Sequence, residues 1–249
     1  MIKSIILGIF QGITEFLPIS SSGHLVVLKN LLHFEEKGIT MEVFLHFGTL
    51  LSILVFFSKR IFNYFKPKNL VLIIIGSIPA GIIGLLFKDT IEKAFSSILF
   101  VIPCFILTGF YLYFSEKKYI EKKDKIDIWD AIIIGFAQGF AILPGISRSG
   151  WTTSTGILLG IQKSLSFEFS FILSIPALFG AFLLELKEIQ SLNNIIPIII
   201  GTIFSFISGL ISIYIFSKVI LLKKLKYFSI YLWFISALLI LFLCFGLIH

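Results

Sequence analysis

Charge is what this sequence has least of. Only 14% of its 249 residues are Asp, Glu, Lys or Arg, against a hydrophobic share of 57%, and the mean hydropathy is +1.02. A soluble domain of this length needs far more polar surface, so composition excludes one and points to an integral membrane protein. Cysteine is almost missing too. Cys104 and Cys244 lie singly in apolar stretches, which suits packing and argues against a disulfide framework or a thiolate metal site. The amino-terminal apolar stretch runs into Gln11, Glu15 and Ser20–Ser22 without a small-residue cleavage pattern, so it is expected to remain in the mature protein rather than act as a signal peptide.

Apolar runs of spanning length lie at Met41 to Phe57, Leu70 to Phe87, Ser96 to Phe114, Phe167 to Leu186, Ile195 to Ser217 and Phe228 to Ile248. They predict about six transmembrane helices in a single all-α membrane domain.

The remaining polar residues concentrate in a segment that occurs twice. Ile6 to Gly23 aligns without a gap on Ile133 to Gly150, 127 residues later, with eight of eighteen positions identical. Such self-similarity marks an internal repeat. Each copy has two apolar halves of about 10 to 15 residues, parted by Pro, Gly and Ser, and such lengths suit re-entrant hairpins rather than spans. Irregular backbone at membrane depth survives only inside protein or beside water. The breaks at Leu17 to Gly23 and Leu143 to Gly150 are therefore expected to meet in the interior. The division that follows is a first repeat over about 1–115, a linker over about 116–128 and a second repeat over about 129–249.

With both hairpins re-entrant, fourteen of the 21 cations fall on one face and six on the other, Arg148 standing apart. The richer face is expected in the cytoplasm and both termini outside, which gives the repeats inverted topology. The linker segment Glu116 to Asp127 reads as a solvated loop. The net charge of +7 is accounted for by loops, and no nucleic-acid partner is needed.

Chemistry is divided unequally between the copies. Gln11 and Glu15 are four residues apart and share a helix face. A carboxylate there needs a partner or a task. It can pair with Arg148, act as a base, or join Gln11 in holding a Mg²⁺ or Ca²⁺ ion alongside waters and phosphate oxygens. Ser20, Ser21 and Ser22 stand where a second half-helix would begin, a natural anion site. His24 follows Ser21 by three residues, a spacing that suits a nucleophile and its base, or a pair that binds and protonates phosphate. In the second copy Ser147, Arg148, Ser149 and Thr152 place a guanidinium among hydroxyls, suited to bidentate grip of phosphate.

QGITEFLPISSSGH and PGISRSGWT resemble the two signature segments of the undecaprenyl-diphosphate phosphatases, the bacitracin-resistance membrane proteins, and the likeness extends over the whole chain in length, span count and motif placement. The family's first motif has Glu or Gln four residues before a Glu. Gln11 is the neutral variant, so Glu15 alone brings full charge. The resemblance implies release of inorganic phosphate from undecaprenyl diphosphate in the plasma membrane of a bacterium, regenerating the lipid carrier for cell-wall polymers. It carries over Gln11, Glu15, Ser21 and His24, with Ser147, Arg148, Ser149 and Thr152. A phosphoserine on Ser21 and direct attack by water both fit these residues. A polyprenyl-phosphate flippase or other secondary transporter is the rival reading, since broken helices in inverted repeats also build carriers. Membrane lipids would surround the protein, and a homodimer is compatible with the sequence without any residue arguing for it.

Overall fold

The computed structural model describes residues 1–32, 39–95, 97–186 and 195–246. Lys37, Ser96, Lys187 and Ile248, which belong to the expected loops and spans, lie outside them. Within the described residues every named element is a helix: α1 Ile2–Phe16, α2 Ser21–Leu32, α3 Ile39–Phe56, α4 Ser58–Tyr64, α5 Pro67–Leu86, α6 Lys88–Phe95, α7 Ile98–Lys117, α8 Ile128–Phe140, α9 Arg148–Leu158, α10 Lys163–Leu186, α11 Ile195–Leu221 and α12 Lys226–Cys244.

Five of these, α5, α7, α10, α11 and α12, are long and apolar enough to cross a membrane. The sixth expected span is α3, which turns by 82° into α4 after Phe56. The protein is a multi-pass membrane protein. Its lipid-facing stripes are apolar at helical spacing, as at Ile196, Ile199, Ile203, Ile207 and Ile211 on α11, all exposed. Pro79, Pro103 and Pro176 sit inside spans, where neighbouring helices can absorb the lost hydrogen bond.

The repeated segments form helices too short to span. At 1.5 Å per residue, α1 with 15 residues and α8 with 13 reach about 22 and 20 Å, short of a hydrocarbon core of about 30 Å. Positions 127 apart play matching parts: Ser20 precedes α2 and Ser147 precedes α9. Each serine Oγ accepts the backbone N–H three residues on, from Gly23 at 3.2 Å and Gly150 at 3.3 Å.

Each short helix leans on a long helix of the other half. The α1 helix packs on α11, and α8 on α5. Small residues set both seams, as expected where close backbone approach replaces a hydrophobic drive. A Cβ at Gly12 would strike Ser208, and one at Gly135 would strike the Gly76 carbonyl. Hydroxyls stitch α3 to α11, with Ser52 donating to the Phe206 carbonyl and Ser205 to the Leu45 carbonyl, each at 2.8 Å. The core beneath is aromatic: Phe16, Phe57, Phe171 and Phe216 are fully buried, with Phe16 and Phe171 rings 5.6 Å apart. Both cysteines are free, and Cys104 packs beside Gly145.

The linker is largely exposed, as expected of a solvated loop, and it is also paired with the chain after α9. Lys122 and Lys123 donate backbone N–H groups to the Gly160 carbonyl at 2.8 and 3.0 Å, and Gln162 returns one to Lys123 at 2.9 Å. The α8 helix starts from a reciprocal cap in which the Asp127 carboxylate accepts the Asp130 N–H and Asp130 accepts that of Asp127. Lys123 reaches Asp130 at 2.7 Å. The Asp130 N–H, with Lys123 next to it, holds the Asp127 carboxyl below its ordinary range, while the Asp130 carboxylate pushes the Lys123 amine up. Mixed charge in the sequence signals exposure; it carries no sign of which backbone groups pair.

Two outcomes follow. Gly135→Val is expected to cost about 1–3 kcal/mol or more by forcing α5 and α8 apart, read as a lower thermal midpoint in detergent, whereas Gly81→Val, where a Cβ meets nothing within 4 Å, is expected to leave it in place. Asp127→Ala is expected to remove about 1 kcal/mol of capping, seen as faster amide exchange at Asp130 and Ala131. Because the folded Asp127 carboxyl is depressed, wild-type protein is expected to lose the same protection only as pH falls below about 4.

Candidate active site

The two helix breaks meet, as irregular backbone inside a membrane requires. Ser20 adopts φ of +68° and Gly145 φ of +94°, the left-handed region that costs a side chain about 1 kcal/mol and glycine little. The strained serine is held by its own hydroxyl, which accepts Gly145 N–H at 3.1 Å in addition to Gly23 N–H. A Cβ on Gly23 would meet Gly145, and one on Gly150 would meet Pro18. Thr108 on α7 backs the second turn by donating to the Gly145 carbonyl at 3.1 Å.

Charge converges at this crossing. Glu15 lies in the last turn of α1, and Arg148 is the first residue of α9. Arg148 Nη2 donates to Glu15 Oε1 at 2.7 Å, with side-chain exposures of 15% and 9%. That burial makes the pair costly to break, since either partner alone would be an uncompensated charge. The other carboxylate oxygen, Oε2, accepts the Ser21 hydroxyl at 2.8 Å and the Gln11 amide at 3.3 Å. Four of the expected residues, from both copies, thus form one cluster. Arg148 Nη1 is buried and makes no hydrogen bond to the described residues, a donor suited to an anion.

The other expected residues are placed differently. Ser22 lies 3.3 Å from Ser20, hydroxyl to hydroxyl, and Ser149 stands likewise 3.3 Å from Ser147. Ser20, Ser147, Ser149 and Thr152 are buried. Thr152 donates to the Arg148 carbonyl at 2.7 Å and touches Ser170 on α10. The serine hydroxyls shape the two turns, and Thr152 braces Arg148 through its carbonyl. His24 is not hydrogen-bonded to Ser21: its Nδ1 meets the Ser20 carbonyl at 2.8 Å and its Nε2 meets Tyr231 Oη at 2.7 Å. Helical spacing alone could place His24 and Ser21 on one face, but it cannot tell which neighbour each ring or hydroxyl turns to.

Tyr231 and His46 are additions that sequence reasoning passed over. His46 on α3 lies within electrostatic reach of Glu15 and bonds the Glu42 carbonyl at 3.0 Å. Both residues belong to apolar spans outside the repeated motif. A lone tyrosine or histidine in such a span is the one available signal, and it names no partner.

A divalent cation suits the donor set at Gln11 and Glu15. A carboxylate and an amide stand side by side, and turning the amide over would offer its oxygen in place of its nitrogen. Two such oxygens with waters and phosphate oxygens make a magnesium-type shell.

Replacing Glu15 by Ala is expected to destabilise the protein by about 3 kcal/mol, because Arg148 is left buried and unpaired. Glu15→Met with Arg148→Met is expected to recover most of that loss. Unfolding midpoints in detergent for the single and double variants check both values.

The family described as bacitracin resistance protein BacA matches residues 4–238. The chain is 43% identical over 249 residues to an undecaprenyl-diphosphatase of Halothermothrix orenii, covering 96% of each chain. It is 38% identical over 242 residues to one of Carboxydothermus hydrogenoformans, covering 93% of each. An undecaprenyl-diphosphatase of Methanosphaera stadtmanae is 40% identical over 260 residues, covering 93% of this chain and 94% of that protein.

Proposed function

The chain belongs to the bacitracin resistance protein BacA family, and on that premise we propose that it hydrolyses undecaprenyl diphosphate to undecaprenyl phosphate and inorganic phosphate. The observation that carries this reading is the Gln11–Glu15–Ser21–Arg148 cluster, built where two broken helices cross. It joins an anion-binding guanidinium to a hydroxyl already bonded to a carboxylate.

The terminal phosphate is held by Arg148, Ser21 and Ser22. Ser20 and Ser147 fix the half-helix N-termini whose N–H groups add positive potential, while Ser149 supports Ser147 and Thr152 holds the Arg148 backbone. Arg148 stabilises the charge that builds as the bridging P–O bond breaks. Glu15 Oε2 is the base nearest to Ser21. As Ser21 Oγ bonds to phosphorus its proton passes to Glu15, and the electron pair of the breaking bond leaves with undecaprenyl phosphate. Water then frees inorganic phosphate from the serine. In the alternative course Ser21 positions a water that attacks directly, and Glu15 takes the water's proton through it. His24 supplies or removes protons at the edge of the cluster. A Mg²⁺ or Ca²⁺ ion held by Glu15 and Gln11 would neutralise phosphate charge.

The polyprenyl tail lies along apolar helix faces, so the bilayer provides much of the binding. The protein sits in the plasma membrane of a bacterium with its lysine-rich face in the cytoplasm and both termini outside.

Purified protein is expected to release inorganic phosphate from undecaprenyl diphosphate, faster with Mg²⁺ or Ca²⁺ than with chelator. Ser21→Ala and Arg148→Ala are each expected to lower kcat/KM at least about 100-fold. Undiminished release by both variants would discard the cluster as the site. Transfer of the lipid across vesicles without phosphate release would favour a carrier.

A further inference from the structure

His24 engages both ring nitrogens, and the partner on each fixes its chemistry. A carbonyl can only accept, so Nδ1, 2.8 Å from the Ser20 carbonyl, carries the proton. In the neutral ring Nε2 is then the lone pair, and the Tyr231 hydroxyl at 2.7 Å donates to it. The two rings stack at 5.6 Å with 7° between their planes, and Phe105 closes on the imidazole at 5.0 Å. The basic nitrogen of His24 is thus directed at a tyrosine on α12, in the half of the chain that does not contain His24.

The second copy supplies an internal comparison. Trp151 stands 127 residues after His24, and it stacks on Tyr111 of α7 at 4.5 Å and 20°. Each half-helix therefore sets its fourth residue, Arg148 and Ser21 being the first, against a tyrosine from the last helix of the other half. The hydroxyls diverge. Tyr111 turns its hydroxyl to Thr155 at 2.9 Å, whereas Tyr231 turns its own onto the imidazole. Stacking alone is met by Tyr111 without a bond to the ring it covers. The Tyr231 bond is specific to the copy that carries His24.

We propose that Tyr231 is the positioning residue of His24: the Ser20 carbonyl sets the Nδ1–H form, and the Tyr231 hydroxyl, bonded to Nε2, holds the orientation of the ring and of its working lone pair. This rests on the proposed hydrolysis, in which His24 handles protons while Glu15 serves Ser21. The fixed tautomer gives His24 a single basic nitrogen at the cluster's edge, beside a half-exposed tyrosine. A ring free to turn would place that nitrogen correctly only part of the time. Assembly of the proton-handling group thus requires α12 as well as α2, so the second half contributes more to the site than Arg148.

Tyr231→Phe keeps the stacked ring and removes only the hydroxyl. It is expected to lower kcat for phosphate release about 10- to 100-fold with KM changed by less than about twofold. In ¹⁵N-histidine-labelled protein the His24 signals, assigned by their loss in His24→Asn, are expected to show a protonated Nδ1 and a hydrogen-bonded Nε2 in wild type. In Tyr231→Phe Nδ1 is expected to stay protonated, because its bond to the Ser20 carbonyl remains, while the Nε2 signal moves to that of a nitrogen accepting no hydrogen bond. Retention of full kcat overturns the proposal, and so does a lowered kcat with unchanged nitrogen signals, since the tyrosine would then act other than through His24. If wild-type protein releases no phosphate, the hydrolytic reading falls, and the nitrogen signals alone decide whether Tyr231 positions the ring.

Discussion

The crossing of two broken helices governs the rest of this structure. Backbone that leaves the helix inside a membrane finds no water, and each of its N–H and C=O groups must be met by protein. Here each break serves the other. The Ser20 hydroxyl takes N–H groups from its own half-helix and from Gly145 in the opposite turn, and Glu15 and Arg148 close the contact with a buried ion pair. Neither break has these partners without the other, so the halves are bound into one unit at the point where they are least helical.

From that constraint the surrounding architecture follows. Two turns can touch only if the short helices carrying them sink between longer ones, and this requires seams without side-chain bulk. Gly12 against Ser208 and Gly135 against Gly76 provide them. The exchange of partners, α1 with α11 and α8 with α5, places each short helix in the opposite half's scaffold. The same exchange brings Tyr231 to His24 and Tyr111 to Trp151. Chemistry and packing are therefore not separable here, because the contacts that hold the halves together also place the charged groups.

Much of this is legible in the chain. A window of apolar residues reports a span because lipid selects on composition alone, and five expected spans appear as long helices, with the sixth bent at Phe56. The repeated segment announces its breaks through Pro, Gly and Ser, whose backbone effects are local. Gln11, Glu15, Ser21 and Arg148 stand out because polar groups in such a setting are costly. Less legible are Tyr231 and His46, which sit in apolar spans with no motif around them, and the linker, whose pairing with Gly160 to Gln162 depends on backbone groups that every residue carries.

What the sequence determines by itself is the solvent, the number of crossings, the duplication and the set of polar residues that must be buried together, since each depends on residue type and spacing. The tertiary structure decides which of them touch. Ser21 turns to Glu15 and not to His24, Ser20 and Ser147 cap helices, and His24 finds its partner 207 residues away. Helical periodicity fixes the face on which a side chain stands. Its hydrogen-bond partner is chosen by the helix packed opposite, and that choice exists only once the two halves have closed on each other.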